Sequence, residues 1–277
     1  MQIAVSLYDK TSDNNRIIFA IIENDEIVNS IDLQSTRDWF YDDKLKSGVS
    51  GITWYGDNLF LASRQNIIRT SFNLDDFEPL SEHRLGFDIH QIDWIPDGIV
   101  YCDTGRNAVR IIQDGKVSLY HNGIGSKNHI NSVYITDDAG YIVYHNNDKE
   151  GIVVTQDGHI VLSGLSKPHN FIINKSGDMI VCDSDKSSIV KHDYHRKSVH
   201  LGGFTRGLAI SENLDVAVGV SKRGESPVIV FLDFDLCIKR MLNLQDINSQ
   251  FIGEIYDIRF IEPTDFGMSQ NYKGWWF

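Results

Sequence analysis

An all-β six-bladed propeller is the fold class this sequence predicts, and three observations predict it. Five stretches align as strand, polar turn, strand: SGITWYGDNLFLASR (50–64), HQIDWIPDGIVYCDT (90–104), NSVYITDDAGYIVYHNN (131–147), HNFIINKSGDMIVCDS (169–184) and RGLAISENLDVAVGVS (206–221). Their first residues lie 40, 41, 38 and 37 positions apart, and an all-strand repeat of roughly 40 residues marks a propeller blade. Further strands fall between the repeats, as in 109–120 and 151–162, each carrying an Asp-Gly turn that suits a two-residue hairpin. Four strands per repeat make a blade, whereas a β-sandwich would space its strands unevenly.

The elements follow in order. Residues 1–46 hold three strand candidates, 3–8, 16–22 and 26–33, but no first strand of a blade. Residues 256–261 supply a sixth first strand with only a tail after it. The economical arrangement joins the N-terminal three strands to this C-terminal one in a shared blade, which closes the ring and leaves no open edge. A single domain over 1–277 results. The tail ends in Trp275-Trp276-Phe277, aromatics expected to cover the closing blade or a partner subunit, since exposed they form a sticky patch.

The stretches PHNFIINKSGDMIVCDS and FTRGLAISENLDVAVGVSKRGE resemble blades of the six-bladed propeller superfamily that includes NHL-repeat proteins, the gluconolactonase group and the peptidyl-hydroxyglycine amidating lyases, and look closest to uncharacterised bacterial propellers. The resemblance spans essentially the whole chain. It implies architecture more than activity, because one fold hosts many chemistries. Carbohydrate or modified-peptide substrates are what the resemblance alone implies.

Composition narrows the partners. A formal charge of −12 argues against a surface that neutralises phosphates along a nucleic acid. No run approaches ~18 uninterrupted apolar residues and no basic leader precedes an apolar run, so no membrane role or secretion is expected. Three cysteines, Cys102, Cys182 and Cys237, sit mostly in strand-like runs and fit a cytoplasmic setting. No Walker loop, dinucleotide-binding glycine pattern or Gly-x-Ser-x-Gly elbow is present. His192, His195 and His200 fall on one blade's outer hairpin, where strand alternation and a polar tip explain them.

In a propeller the first strands line the central channel, and the residues just before them ring one mouth. That position holds Ser50, His90, Asn131, His169, Arg206 and Tyr256, with His129 and Glu254 two residues before Asn131 and Tyr256. Pro168 pins the loop before His169. His90, His129 and His169 come from three consecutive blades and can point at one place, as neutral imidazoles holding zinc, manganese or iron do. In the amidating lyases three channel histidines hold zinc, and these three are similar in their distribution over blades. His129 stands two residues earlier than its counterparts, so Asn131 competes for the inner position. The alternative is a polar channel whose histidines only bond loop backbones.

Asp103 and Asp183, each following a cysteine, are expected either to orient histidine rings or to satisfy turn backbones. Arg206 needs a carboxylate partner, with Glu254 as the internal candidate, or an anionic ligand. Arg206, Glu254 and Tyr256 are thus the candidate catalytic groups. The leading expectation is a metal-dependent lyase, hydrolase or epimerase acting on a small polar, anionic molecule at the channel mouth. A non-catalytic propeller that binds a protein or peptide, and a metal-free sensor, are the competing expectations.

Overall fold

The inner strands are buried along their length because each lies between two neighbouring blades: Ile130–Ile135 and His169–Ile173 are buried at all but their last residue. The outermost strands, Lys116–Asn122 and Arg196–His200, are mostly exposed. The computed structural model describes residues 1–9, 17–33, 48–125, 127–136, 138–174, 176–211 and 213–261. Trp275, Trp276 and Phe277 lie outside the described residues.

Six four-stranded antiparallel sheets form the blades. In chain order they are blade 1 (residues 51–79), blade 2 (89–122), blade 3 (130–165), blade 4 (169–200), blade 5 (204–243) and a closing blade. In the closing blade Glu254–Ile261 is innermost and pairs with Gln2–Tyr8, followed by Ile17–Glu23 and Glu26–Asp32. The closure read from the sequence is the one observed. The core sits between blades: Val181 and Val190 of blade 4 pack with Val218 and Val230 of blade 5, and Ile52 and Leu59 of blade 1 pack with Phe19 and Ile21 of the closing blade. Blades 1 and 2 approach so closely that a Cβ on Gly51 would lie 2.6 Å from the Ile92 nitrogen and 2.8 Å from the His90 carbonyl. Among the described residues no helix is long and apolar enough to cross a membrane.

Five of the six inner strands bulge near the same mouth. Pairing shifts between Ile89 and Ile92, Ile130 and Ser132, His169 and Phe171, and Arg206 and Leu208, and in the closing blade between Ser6 and Leu7, opposite Tyr256. A bulge inserts an unpaired residue, bends the strand and re-aims its neighbours. The inserted amide side chains become bolts between blades. Gln91 Oε1 accepts from the Val133 nitrogen at 3.1 Å, Asn131 Nδ2 donates to the Pro168 carbonyl at 2.9 Å, and Asn170 Oδ1 accepts from the Gly207 nitrogen at 2.9 Å.

Candidate functional site

The segments DTGRNA and DSDKSS build the same device in blades 2 and 4. Each leaves its second strand through a 3₁₀ turn, Thr104–Arg106 or Ser184–Lys186. The Asp103 carboxylate accepts from the Phe87 nitrogen at 2.8 Å and pairs with Arg106 and Arg110 at 2.9 Å. Asp183 likewise accepts from the Ser166 nitrogen at 2.6 Å and pairs with Lys186 at 2.9 Å. Both aspartates therefore pin the loop that leads into the inner strand. The next hydroxyl reaches the histidine: Thr104 Oγ1 lies 3.0 Å from His90 Nδ1, and Ser184 Oγ 2.9 Å from His169 Nδ1.

The protons on these rings follow from their partners. His90 Nδ1 is 3.0 Å from the Asp88 carbonyl, and His169 Nδ1 is 3.0 Å from the Lys167 carbonyl. A carbonyl only accepts, so Nδ1 carries the proton and Nε2 keeps its lone pair. The hydroxyls agree, because Thr104 donates its proton to the Ile130 carbonyl and Ser184 donates to the Thr205 carbonyl at 2.6 Å. Each histidine is thereby tied to the following blade.

Blade 3 departs from this pattern. Ile130 pairs with Tyr144 as His169 pairs with Cys182, so His129 precedes the strand, held at φ +51°, and His145 takes the place of Asp183. The Asn147 nitrogen donates to His145 Nδ1 at 3.1 Å. A backbone N–H only donates, so neutral His145 carries its proton on Nε2, the reverse of His90 and His169. The four rings form an arc: His90 and His129 lie 5.1 Å apart between centroids, His129 and His145 4.6 Å, and His145 and His169 5.4 Å. His145 was missed in the sequence, although VYHNN standing in the column of VCDSD was a readable signal.

Blade 5 and the closing blade extend the arc. The Arg206 guanidinium lies 3.8 Å over the Tyr256 ring, a cation–π contact, and makes no hydrogen bond or ion pair among the described residues. Glu254 instead lines a separate cleft of about 210 Å³ with Lys222, Arg223 and Gly253. On the other flank Arg64 and Asp88 pair at 2.5 Å. The structure thus brings His90, His129, His169, Arg206 and Tyr256 to one mouth and turns Asn131, Asp103 and Asp183 to structural bonds.

Burial, reinforced by the Arg206 charge, holds all four imidazoles below their ordinary pKa: His90 at about 3, His145 at about 4, with His129 lowered and His169 well lowered. All are neutral at pH 7. Unfolded histidines take up protons near pH 6.5 while these rings stay neutral, so their stabilisation is complete above pH 6.5 and declines as pH falls towards the folded values. Between pH 6.5 and 5 the His90 ring, with its pKa at about 3, is expected to cost about 2 kcal/mol. Urea unfolding at pH 7 and pH 5 checks this: His90→Gln should lose less stability on acidification than the parent, and equal losses would refute it.

The donor chemistry suits a metal only in part. His90 and His169 offer lone pairs with the second nitrogen anchored, the arrangement of metal-binding histidines, whereas His145 offers a proton and, among the described residues, the His129 tautomer is set by no hydrogen bond. Among the described residues no three His, Cys, Asp or Glu side chains are grouped to hold an ion.

No family model and no curated protein matches the chain. Solved structures do. The chain is similar to one in the nidogen/laminin complex (TM-score 0.67, 12% identity, 93% of this chain and 97% of that one covered). It is similar to a protein of unknown function from Bacteroides caccae (0.65, 14%, 93% and 97%), and to virginiamycin B lyase from Staphylococcus aureus in a catalytically inactive histidine-to-alanine form with quinupristin (0.58, 13%, 91% and 88%). At such identities the likeness is one of fold, and with the six sheets and their shared closure it places this chain among the six-bladed β-propellers.

Proposed function

We propose that the protein is an enzyme of lyase, hydrolase or epimerase type that takes a small anionic molecule at the histidine-lined mouth and moves a proton on it. The observation that carries this reading is Arg206, a cation without a protein acid partner among the described residues, beside four neutral imidazoles, of which His169 is buried and the other three half-buried. Arg206 is half-buried, and a guanidinium partly withdrawn from water is best compensated when an anion meets it. Arg206 anchors a carboxylate or phosphate, its stacking on Tyr256 fixing the approach. His90 Nε2 or His169 Nε2, lone pair exposed and ring orientation held from behind, accepts the proton. His145 Nε2–H donates to the oxygen on which charge develops. The lyase of similar fold lends support, since its inactive form is a histidine-to-alanine variant.

A second reading adds a divalent ion, zinc, manganese or iron, at His90, His129 and His169, and is favoured by the anchored Nδ1–H groups of two of them. Elemental analysis of protein made without tag or chelator, beside His169→Ala, separates the two. Stoichiometric metal lost in the variant supports the ion, and equal contents remove it. For the anion, Arg206→Gln is expected to weaken acetate or inorganic phosphate binding by about 2 to 5 kcal/mol, with a smaller effect on stability. Unchanged binding would favour a non-catalytic propeller that presents this mouth to a protein or peptide, or a sensor with its site elsewhere.

A further inference from the structure

The end of the ring opposite the histidines carries a cleft of about 440 Å³ between blades 1 and 2. Its walls are the turns between first and second strands, at residues 55–58 and 95–98, and between third and fourth strands, at 113–116. The Thr104 turn joins second to third strands, so antiparallel pairing places it at the other end. Nothing in the acid–base reading of the histidine mouth uses this cleft.

Three aromatic rings form one side. Tyr55 stacks on Trp94 with centroids 4.5 Å apart and planes 7° from parallel, and Phe60 stacks on Trp94 at 5.5 Å and 21°. Phe60 is buried, while Tyr55 remains 44% exposed, so the stack is anchored in the core and ends in a flat, accessible ring. Its orientation is fixed before any ligand arrives, which lowers the entropy cost of binding. An exposed tyrosine held flat in this way presents a negative π face.

The unpaired charges around the stack are both negative. Asp97 and Asp114 line the cleft and make no ion pair or hydrogen bond among the described residues. The cation in the wall, Arg69, is neutralised by Glu78. Carboxylates only accept hydrogen bonds, so the complementary ligand offers donors, and two unpaired negative charges beside an aromatic face favour donors that are positively charged. The chain's net charge of −12 draws cations in the same direction. A sugar could satisfy the acceptors and the flat ring, yet it would leave the charges uncompensated.

We propose that this cleft binds an organic cation, an ammonium or guanidinium on an alkyl stem: the stem packs on Tyr55 and Trp94 while the head meets Asp97 and Asp114. The same chemistry comes from a free polyamine or from an arginine or lysine side chain of a peptide.

Titration followed at the Trp94 indole N–H by NMR, assigned with Trp94→Phe, tests the site directly. Agmatine, spermidine and a blocked Gly-Arg-Gly tripeptide serve as cations, with glucose as the neutral control. Saturable shifts are expected with the cations and not with glucose, weakening as salt rises. Tyr55→Ala and the Asp97→Asn, Asp114→Asn double variant, all at exposed or turn positions, should each weaken agmatine by about tenfold. Tighter binding of the tripeptide than of agmatine and spermidine identifies a peptide source, and the reverse a polyamine. His169→Ala and Arg206→Gln should leave this binding unchanged, so failure at the histidine mouth leaves the cleft standing. Saturation by glucose at equal concentration, variants that bind agmatine like the parent, or no saturable shift would each overturn the proposal.

Discussion

Deleting residues 1–33 is expected to abolish cooperative folding. Those residues supply three of the four strands of the closing blade, and Gln2–Tyr8 is paired along its length with Glu254–Ile261. The deletion removes Ile3, Val5, Leu7, Ile18, Ala20 and Ile22 from the cluster they share with Ala217, Ile229 and Ile258. A fully buried aliphatic side chain stabilises by about 1.5 to 3 kcal/mol, so the loss from this set alone is comparable with the roughly 5 to 15 kcal/mol that separates folded from unfolded domains. It also strips Glu254–Ile261 of its partner and leaves an open edge. Thermal unfolding followed by circular dichroism should show no sharp transition and NMR should show poor dispersion. A truncated chain that melts cooperatively within a few degrees of the full one would refute the closure.

The ring was legible in the sequence because strand periodicity and turn chemistry are local, and a fixed spacing between local units is enough to count blades. His90 and His169 were legible for the same reason, standing in one column of the repeat. The bulges were not, since they depend on how an inner strand registers against its neighbour. Asn131 therefore looked like a channel group when it is a bolt to the Pro168 carbonyl, one of a series with Gln91 and Asn170. Asp103 and Asp183 recur for the backbone they pin, and the groups that touch the rings are the hydroxyls one residue later. The Arg206 stack on Tyr256 is harder still to read, because it depends on how the side chains of two adjacent inner strands are aimed across the blade boundary. His145 shows the reverse case: its column was visible, but its opposite tautomer depends on a single backbone N–H.

Asp257→Ala is expected to destabilise the protein by about 3 to 5 kcal/mol, the cost of leaving a buried charge without its partner. Arg259 is wholly buried, and its Nε lies 3.3 Å from Asp257 Oδ2 while Nη2 reaches the Ile92 carbonyl of blade 2 at 3.3 Å. The same carboxylate accepts from the Ile52 nitrogen of blade 1 at 2.9 Å and from the Ile258 nitrogen at 3.1 Å. One ion pair thus ties the closing blade to the two blades that follow it, at the seam where the chain's ends meet. Burial pushes the Asp257 carboxyl up, and Arg259 with the two backbone N–H groups pulls against it. Removing the carboxylate strands both the guanidinium and the Ile52 nitrogen, whereas replacing Arg259 by methionine as well relieves the charge and leaves only the lost hydrogen bonds. The double variant Asp257→Ala, Arg259→Met should therefore be more stable than Asp257→Ala alone. Urea unfolding of the parent, both single variants and the double variant yields the coupling directly. Additive losses, or a cost below about 1 kcal/mol for Asp257→Ala, would show that main-chain pairing of the closing blade holds the seam without this ion pair.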